Sequence, residues 1–327
     1  MPLLRTLPAK MRPGSVKRDT FTSSTATKMN NKLTLAALAA LLTLGACDKK
    51  KETTTETTTT APEVFGENDA LLLGNPTSAR RSAEFSENYL ISEPTYHVAY
   101  SASRGIPVWV GWHLQLPEDT AGNGVQRQND FRENPKLPAS YYNIRPSDYV
   151  GNTFNRGHNI PSGDRLSSVA ANSSTFLMTN MIPQAPNFNQ GPWGNLEDYI
   201  RTSLGSTKEA YIYMGNYGTG GVGNNNVVTN TLGSGVLTVP KNVYKIAVIL
   251  PKGGDDLNRI DTSAQVLAVD MPNDNRLYVS APATAWQSYL VPIDSIEARL
   301  SRAGKPASFL SAVRENVRTY LKKKQFR

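Results

Sequence analysis

The chain has 327 residues, 39% of them hydrophobic, enough for one large domain or two ordinary ones, and a mean hydropathy of −0.40 excludes a multi-span membrane protein. One cysteine excludes an internal disulfide framework and every multi-cysteine metal site, and three histidines, His97, His113 and His158, leave few candidates for a general base or imidazole ligand. The net charge of +8 sits at the ends: residues 1–47 carry +6 and 302–327 carry +7, leaving 48–301 at −5, so the pI of 9.4 does not signal a basic binding face.

Residues 33–44, LTLAALAALLTL, form an apolar run with Lys32 before it. As a helix it reaches about 18 Å, short of the ~30 Å of a hydrocarbon core and suited to the hydrophobic region of a signal peptide. Leu44-Gly45-Ala46-Cys47 follows and resembles the lipobox of bacterial lipoproteins, in which cleavage exposes the cysteine and lipid is attached to it. Met29-Asn30-Asn31-Lys32 reads as a natural start, so 1–28 is an over-extended N-terminus and 29–47 the signal peptide. Residues 48–67 are Thr-rich with almost nothing apolar to bury, the composition of a disordered tether. The expected location is the cell envelope, outside the cytoplasm, with the lipidated N-terminus in a membrane.

Strand-like stretches rich in β-branched and aromatic residues occupy 95–102, 108–116, 175–181, 209–214, 243–250 and 265–270. The first two flank Ser103-Arg104-Gly105-Ile106-Pro107, which predicts an antiparallel hairpin. Residues 190–203, 293–301 and 307–323 have helical patterns, and 215–235, rich in Gly and Asn, reads as a long mobile loop. There is no internal repeat. The economical reading is one mixed α+β domain over 68–312, followed by a basic C-terminal helix end at 313–327.

Two segments carry chemistry. The first is Phe154-Asn155-Arg156-Gly157-His158-Asn159-Ile160-Pro161-Ser162-Gly163-Asp164-Arg165. The second runs from Thr179-Asn180-Met181-Ile182-Pro183-Gln184 to Asn189-Gln190-Gly191-Pro192-Trp193-Gly194-Asn195-Leu196-Glu197. Arg156 can fork onto phosphate oxygens, Gly157 permits a tight turn or close approach to a ligand, and His158 can take a proton near neutrality. Asn189 and Glu197 supply the hard oxygens that Mg2+ prefers. A base, a cation and a metal are what hydrolysis of a phosphodiester requires.

These segments resemble the DNA/RNA non-specific endonuclease family of the ββα-metal (His-Me finger) class, in which an Asp-Arg-Gly-His block precedes an Asn-x-x-Pro-Gln strand end and an Asn-Gln-Gly-x-Trp-x-x-Leu-Glu helix. Further blocks follow the family's order: Leu73-Gly74-Asn75-Pro76, Val108 to Leu114, Arg127 with Asp130-Phe131, Val239-Pro240 with Tyr244-Lys245, and Val291 to Glu297. The resemblance implies an α+β fold with a central, mainly antiparallel sheet flanked by helices and carrying the ββα-metal motif. It implies His158 as general base, Arg127 and Arg156 on the scissile phosphate, and Asn180 steadying the site from the strand end. Asn189 would ligate Mg2+ directly and Glu197 through water, with Mn2+ as a substitute metal and DNA and RNA as substrates.

One position departs from the family pattern: Asn155 stands where the block usually begins with Asp. If the acid orients its neighbours, the amide serves; if its charge supports His158 or Arg156, turnover falls. Two other readings therefore accompany the first, a catalytically impaired nucleic-acid-binding envelope lipoprotein and a phosphodiesterase for small substrates. Single residues also have plainer uses. Glu197 sits four residues before Arg201, the spacing of a surface ion pair, His97 and His113 fall on strand patterns as structural residues, and Trp193 suits the core.

Overall fold

The computed structural model describes residues 65–326 except 123, 150 and 152, so the signal peptide, Cys47 and nearly all of the tether lie outside the described residues. In chain order come strands β1 (Tyr89–Glu93), β2 (Tyr96–Ser101), β3 (Ile106–Gln115) and β4 (Asn155–His158), helix α1 (Val169–Ser174) and strand β5 (Met181–Gln184). A single turn α2 (Pro186–Phe188), a π-helical segment Asn189–Trp193 and helix α3 (Gly194–Leu204) lead to β6 (Lys208–Tyr217). Four two-residue strands follow, β7 (Gly221–Val222), β8 (Val228–Thr229), β9 (Thr231–Leu232) and β10 (Leu237–Thr238), and then β11 (Asn242–Pro251). Helix α4 (Asp256–Arg259), strand β12 (Gln265–Pro272), and helices α5 (Ile293–Arg302) and α6 (Glu315–Lys323) complete the chain.

The central sheet has the order β1-β2-β3-β6-β11-β12, with every neighbouring pair antiparallel. Its long strands are apolar at almost every position because both faces are covered. Val110, Trp112, Ile212, Met214, Val243 and Ala247 pack on one face with Phe188, Trp193, Leu196 and Ile200. Trp109, Tyr211, Tyr213, Tyr244 and Ile246 pack on the other with Leu71, Leu73, Ile293, Ile296, Val317 and Leu321. The period of two along each strand sorts side chains between these layers. The β4–β5 ribbon and α3 lie on the first face, forming a ββα unit over the sheet.

The fold class and the β2–β3 hairpin agree with the sequence reading; several boundaries do not. Residues 175–181 are no strand, because Met178–Asn180 forms a 3-10 turn and β5 starts at Met181. There Asn180 bonds backbone groups that a ladder would otherwise use, donating to Ile160 O and Thr175 O and accepting from Ile160 N. The predicted helix over 190–203 is broken at Gly191 (φ −101°, ψ −112°), and α3 proper starts at Gly194. Of 307–323 only 315–323 is helical; the preceding stretch is irregular, and it buries Phe309, Leu310 and Val313 instead. Strand β6 continues to Tyr217, and two small ribbons, β7–β8 and β9–β10, organise the rest of 215–235.

Candidate active site

In the β4–β5 ribbon Asn155 faces Gln184, Arg156 faces Pro183, Gly157 faces Ile182 and His158 faces Met181. Strand alternation puts Arg156 and His158 on one side and Asn155 and Gly157 on the other. The glycine is required by packing within the protein: a Cβ at 157 would stand 2.0 Å from Oε1 of Gln184 and 2.6 Å from its Cβ. It makes room for that buried carboxamide and does not turn the chain.

Two phenylalanines assemble the cationic side. The guanidinium carbon of Arg156 lies 4.0 Å over Phe131, and that of Arg127 lies 4.8 Å over Phe176. His158 meets both rings edge-on at 5.7 and 4.9 Å, and the rings meet each other at 5.0 Å. Arg127 reaches this cluster from the segment between β3 and β4, its Nη1 donating to Ser162 Oγ and its Nε donating to Asn129 Oδ1 at 2.8 Å. Asn172 on α1 holds that segment in place, donating to the Ser162 and Arg165 carbonyls and accepting from the Gln128 N–H. Nothing local in the sequence marks Phe176 or Asn172 for these tasks, because both act through contacts made in the folded state.

The electrostatics follow from this packing. Burial, reinforced by the positive charges of Arg127 and Arg156, pushes the His158 imidazole down to about 3, so the ring is neutral at ordinary pH. Its Nε2 is enclosed and has no hydrogen-bond partner among the described residues. Burial also lowers the Arg127 pKa, against the opposing charge of Glu197, whose carboxylate is thus within electrostatic reach of that guanidinium. Asn180 is fully buried behind His158, where its side chain and its carbonyl fix Asn159 and Ile160.

At the first residue of β4, Asn189 Nδ2 donates to Asn155 Oδ1 at 3.1 Å, and Gln190 Nε2 donates to the same oxygen at 2.9 Å. With its amide end held, Asn189 keeps a carbonyl oxygen that no protein donor occupies among the described residues. The approach to Asn189 is fastened by Asn273, which accepts from Ala185 N at 2.8 Å and donates to Pro183 O at 2.9 Å, and by Asn275, which accepts from Asn187 N at 2.8 Å.

Glu197 on α3 is met from below by Lys245. Alternation along β11 puts this lysine on the same face as Val243 and Ala247, and its Nζ donates to Glu197 Oε1 at 2.9 Å. The lysine side chain is 1% exposed and the glutamate 15%, with the ammonium 4.7 Å over Trp193 and 5.5 Å over Trp112. Burial raises the Glu197 pKa, and Lys245 opposes that rise. The Glu197–Arg201 pair suggested by spacing does not form: Arg201 binds Asp164 at 2.6 Å and Asp198 at 2.5 Å. Lys245 has no role in the sequence reading, although a lone lysine in an apolar strand calls for a buried acidic partner.

A hard divalent cation suits this donor set: a carboxamide oxygen held in place from its amide end, and the second carboxylate oxygen of Glu197. His113, Glu209 and Asp256 also have donor atoms within 4.8 Å of one another. They lie on the far side of the sheet, where Arg259 pairs with both carboxylates and His113 Nε2 meets Glu209 at 3.1 Å. His97 is likewise engaged, by Ser92 and Asp69, as a structural residue. Trp193 is in the core.

The DNA/RNA non-specific endonuclease family model matches residues 74–316. A nuclease of Nostoc sp. is 37% identical over 296 residues, 90% of this chain and 97% of that protein. Human mitochondrial endonuclease G is 32% identical over 64% of this chain and 66% of its own length. Among solved structures, one of EndoG in complex with EndoGI superposes with a TM-score of 0.56 at 21% identity, covering 76% of this chain and 98% of that one, a likeness of fold. The chain belongs to the DNA/RNA non-specific endonuclease family, a family of metal-dependent nucleases, and is itself a nuclease.

Proposed function

We propose that this nuclease hydrolyses phosphodiester bonds in DNA and RNA alike with Mg2+, which Mn2+ can replace, and that it acts outside the cytoplasm on a lipid anchor at Cys47. The observation that carries the chemistry is the neutral imidazole of His158 set between the guanidinium groups of Arg127 and Arg156 by Phe131 and Phe176. Arg127 and Arg156 bind the non-bridging oxygens of the scissile phosphate and stabilise the charge that builds there. His158 takes a proton from water as its oxygen bonds to phosphorus, and the ester oxygen opposite departs with the electron pair of its breaking bond. The phosphate's negative charge offsets the two arginines and raises the proton affinity of the imidazole when the proton is to be taken. Asn189 and Glu197 would hold the divalent cation, which when bound would supply positive charge for the leaving oxygen. Contacts aimed at phosphate carry no base information, which accounts for cleavage without sequence preference.

Plasmid nicking and RNA cleavage, each with and without EDTA, test the reaction. Loss of both activities on chelation and in His158→Ala is expected; activity surviving both changes overturns the mechanism. The anchor rests on the Leu44–Cys47 resemblance and the Thr-rich stretch after it. Intact mass of the membrane-extracted protein tests it, and an unlipidated Cys47 ends that part of the proposal.

A further inference from the structure

The basic end of the chain has no part in the chemistry derived above, yet residues 302–327 carry +7 against −5 for 48–301. Helix α6 packs on the far face of the sheet, through Val317 and Leu321. Beyond it the chain passes the sheet edge to the face that bears α3, where the Phe326 ring meets Tyr199 edge-on at 6.0 Å. The outer strand there is β12. Its middle is covered by the segment before α5, Val291 N donating to Ala268 O at 2.9 Å, while its first residue, Gln265, is exposed. Between that start of β12 and the crossing chain lies a groove of about 750 Å3, with Gln265 and Val266 on one side and Tyr320, Lys323, Lys324 and Phe326 on the other, and no carboxylate in its lining.

The three lysines that end α6 have different tasks. Lys322 pairs with Glu297 at 2.8 Å, and Lys324 Nζ donates to the Thr262 and Ala264 carbonyls, both at 2.8 Å, which fastens the crossing chain to the loop before β12. Lys323 between them is exposed and meets no acid among the described residues. Asp261, in that same loop, is taken up by Ser263, accepting its N–H at 2.7 Å and its hydroxyl at 2.5 Å. Lys208 adds a further ammonium, its Nζ 3.5 Å from Gln265 Oε1. Tyr320 is three residues before Lys323, hence its neighbour on the helix surface, and is 53% exposed, so a base can reach its ring. An open ring with ammonium groups beside it holds a nucleic-acid strand without reading its sequence, because every base can stack and every phosphate is charged. We propose that this groove is a second binding site for a single strand of the nucleic-acid substrate, with a base on Tyr320 and a phosphate on Lys323. The contact of Phe326 with Tyr199, two positions after Glu197, carries the end of the groove to the helix of the reaction centre. The site thus keeps a polymer beside the centre between cuts. It rests on nucleic acid being the substrate and on no single residue of the centre.

Tyr320→Ala and Lys323→Ala test the site, each replacing an exposed side chain of α6 by the best helix former. They are compared with the wild type on an oligothymidylate of about forty nucleotides and on tetrathymidylate, which is too short to occupy both sites. The expected result is a KM for the long strand raised at least about fivefold in Tyr320→Ala, less in Lys323→Ala, with kcat and both constants for the tetramer unchanged. Binding of the labelled long strand in EDTA, read by fluorescence anisotropy, should weaken in parallel, and the slope of log Kd against log salt should flatten by about 0.7 in Lys323→Ala, the loss of one phosphate contact. An unchanged KM for the long strand in both variants overturns the site, as does equal slowing on both lengths, which marks a general disturbance of the fold. If that unchanged KM comes with lost binding to phosphatidylglycerol vesicles, the groove serves a membrane surface instead. A wild-type protein that neither binds nor cleaves the long strand refutes the nucleic-acid substrate itself, and the groove site falls with it.

Discussion

Asn155 and Asn189 are joined carboxamide to carboxamide, the side-chain oxygen of the first accepting the N–H of the second at 3.1 Å. The same oxygen accepts from Gln190, so the first residue of β4 orients both residues that open the π-helical segment. An aspartate in that place would offer the same acceptor, so the amide keeps the hydrogen bonds from Asn189 and Gln190 that an acid would accept. The contact holds the amide end of Asn189 and leaves that side chain's oxygen without a protein donor among the described residues.

Removing this acceptor is therefore expected to weaken metal binding more than it disturbs the fold. Asn155→Ala should lower Mn2+ affinity by about 10- to 100-fold, the cost typical of losing a partner that orients a ligand. Asn155→Asp keeps the acceptor and adds a negative charge beside the cation, so it should bind Mn2+ at least as tightly as the wild type. Titration followed by electron paramagnetic resonance reads both variants without relying on turnover. Equal affinity in Asn155→Ala and the wild type removes the orienting role.

His158 should remain unprotonated far below the 6.5 of an ordinary imidazole, since burial and two guanidinium groups push it down to about 3. Its resonances in an NMR titration of the free protein should show no inflection between pH 8 and 5. The stability consequence has a definite sign. The unfolded chain takes up a proton at this residue near pH 6.5 and the folded chain does not, so stability declines as the pH falls from about 6.5 towards 3. An inflection for His158 near neutrality contradicts the packing described here.

The long strands are legible in the sequence because a sheet covered on both faces is built from near-continuous apolar runs, as in 243–250 and 209–214. Strand β4 is not, since Asn-Arg-Gly-His contains no β-branched residue and no Phe, Tyr or Trp, and it pairs with β5 in the register Asn155–Gln184 to His158–Met181. The same four residues are the most legible part of the site, because a cation, a glycine and an imidazole in three positions state a chemistry. What holds them is hidden. Phe131, Phe176, Asn172 and Lys245 act across the fold, and nothing local to each one shows whether its partner is a guanidinium, a loop or a carboxylate. The unbroken helix expected from 190 fails at Gly191, where the backbone leaves helical angles between Asn189 and Glu197.

Phe131 is expected to act through Arg156. Replacing it by Leu keeps an apolar side chain but removes the ring face 4.0 Å beneath the guanidinium, a contact of about 0.5–2 kcal/mol, so kcat/KM on DNA should fall roughly 3- to 30-fold. In an Arg156→Ala background the same change should cost little further. A full additional loss in that double variant means that the ring serves His158 or the fold and not the arginine.

Lys245 and Glu197 form a nearly enclosed ion pair under α3, and a pair of this kind responds asymmetrically to mutation. Lys245→Met leaves a buried carboxylate without its partner and should destabilise the protein by about 3–5 kcal/mol, read as a lowered midpoint in urea. Adding Glu197→Gln removes the stranded charge, and the Lys245→Met/Glu197→Gln double variant should recover most of that stability. Activity should not return with it, because the carboxylate oxygen offered to the metal is gone. If the two losses of stability simply add, the pair is not energetically coupled, and Lys245 cannot be what holds Glu197 in place; if the double variant regains nuclease activity, Glu197 is not part of the reaction centre.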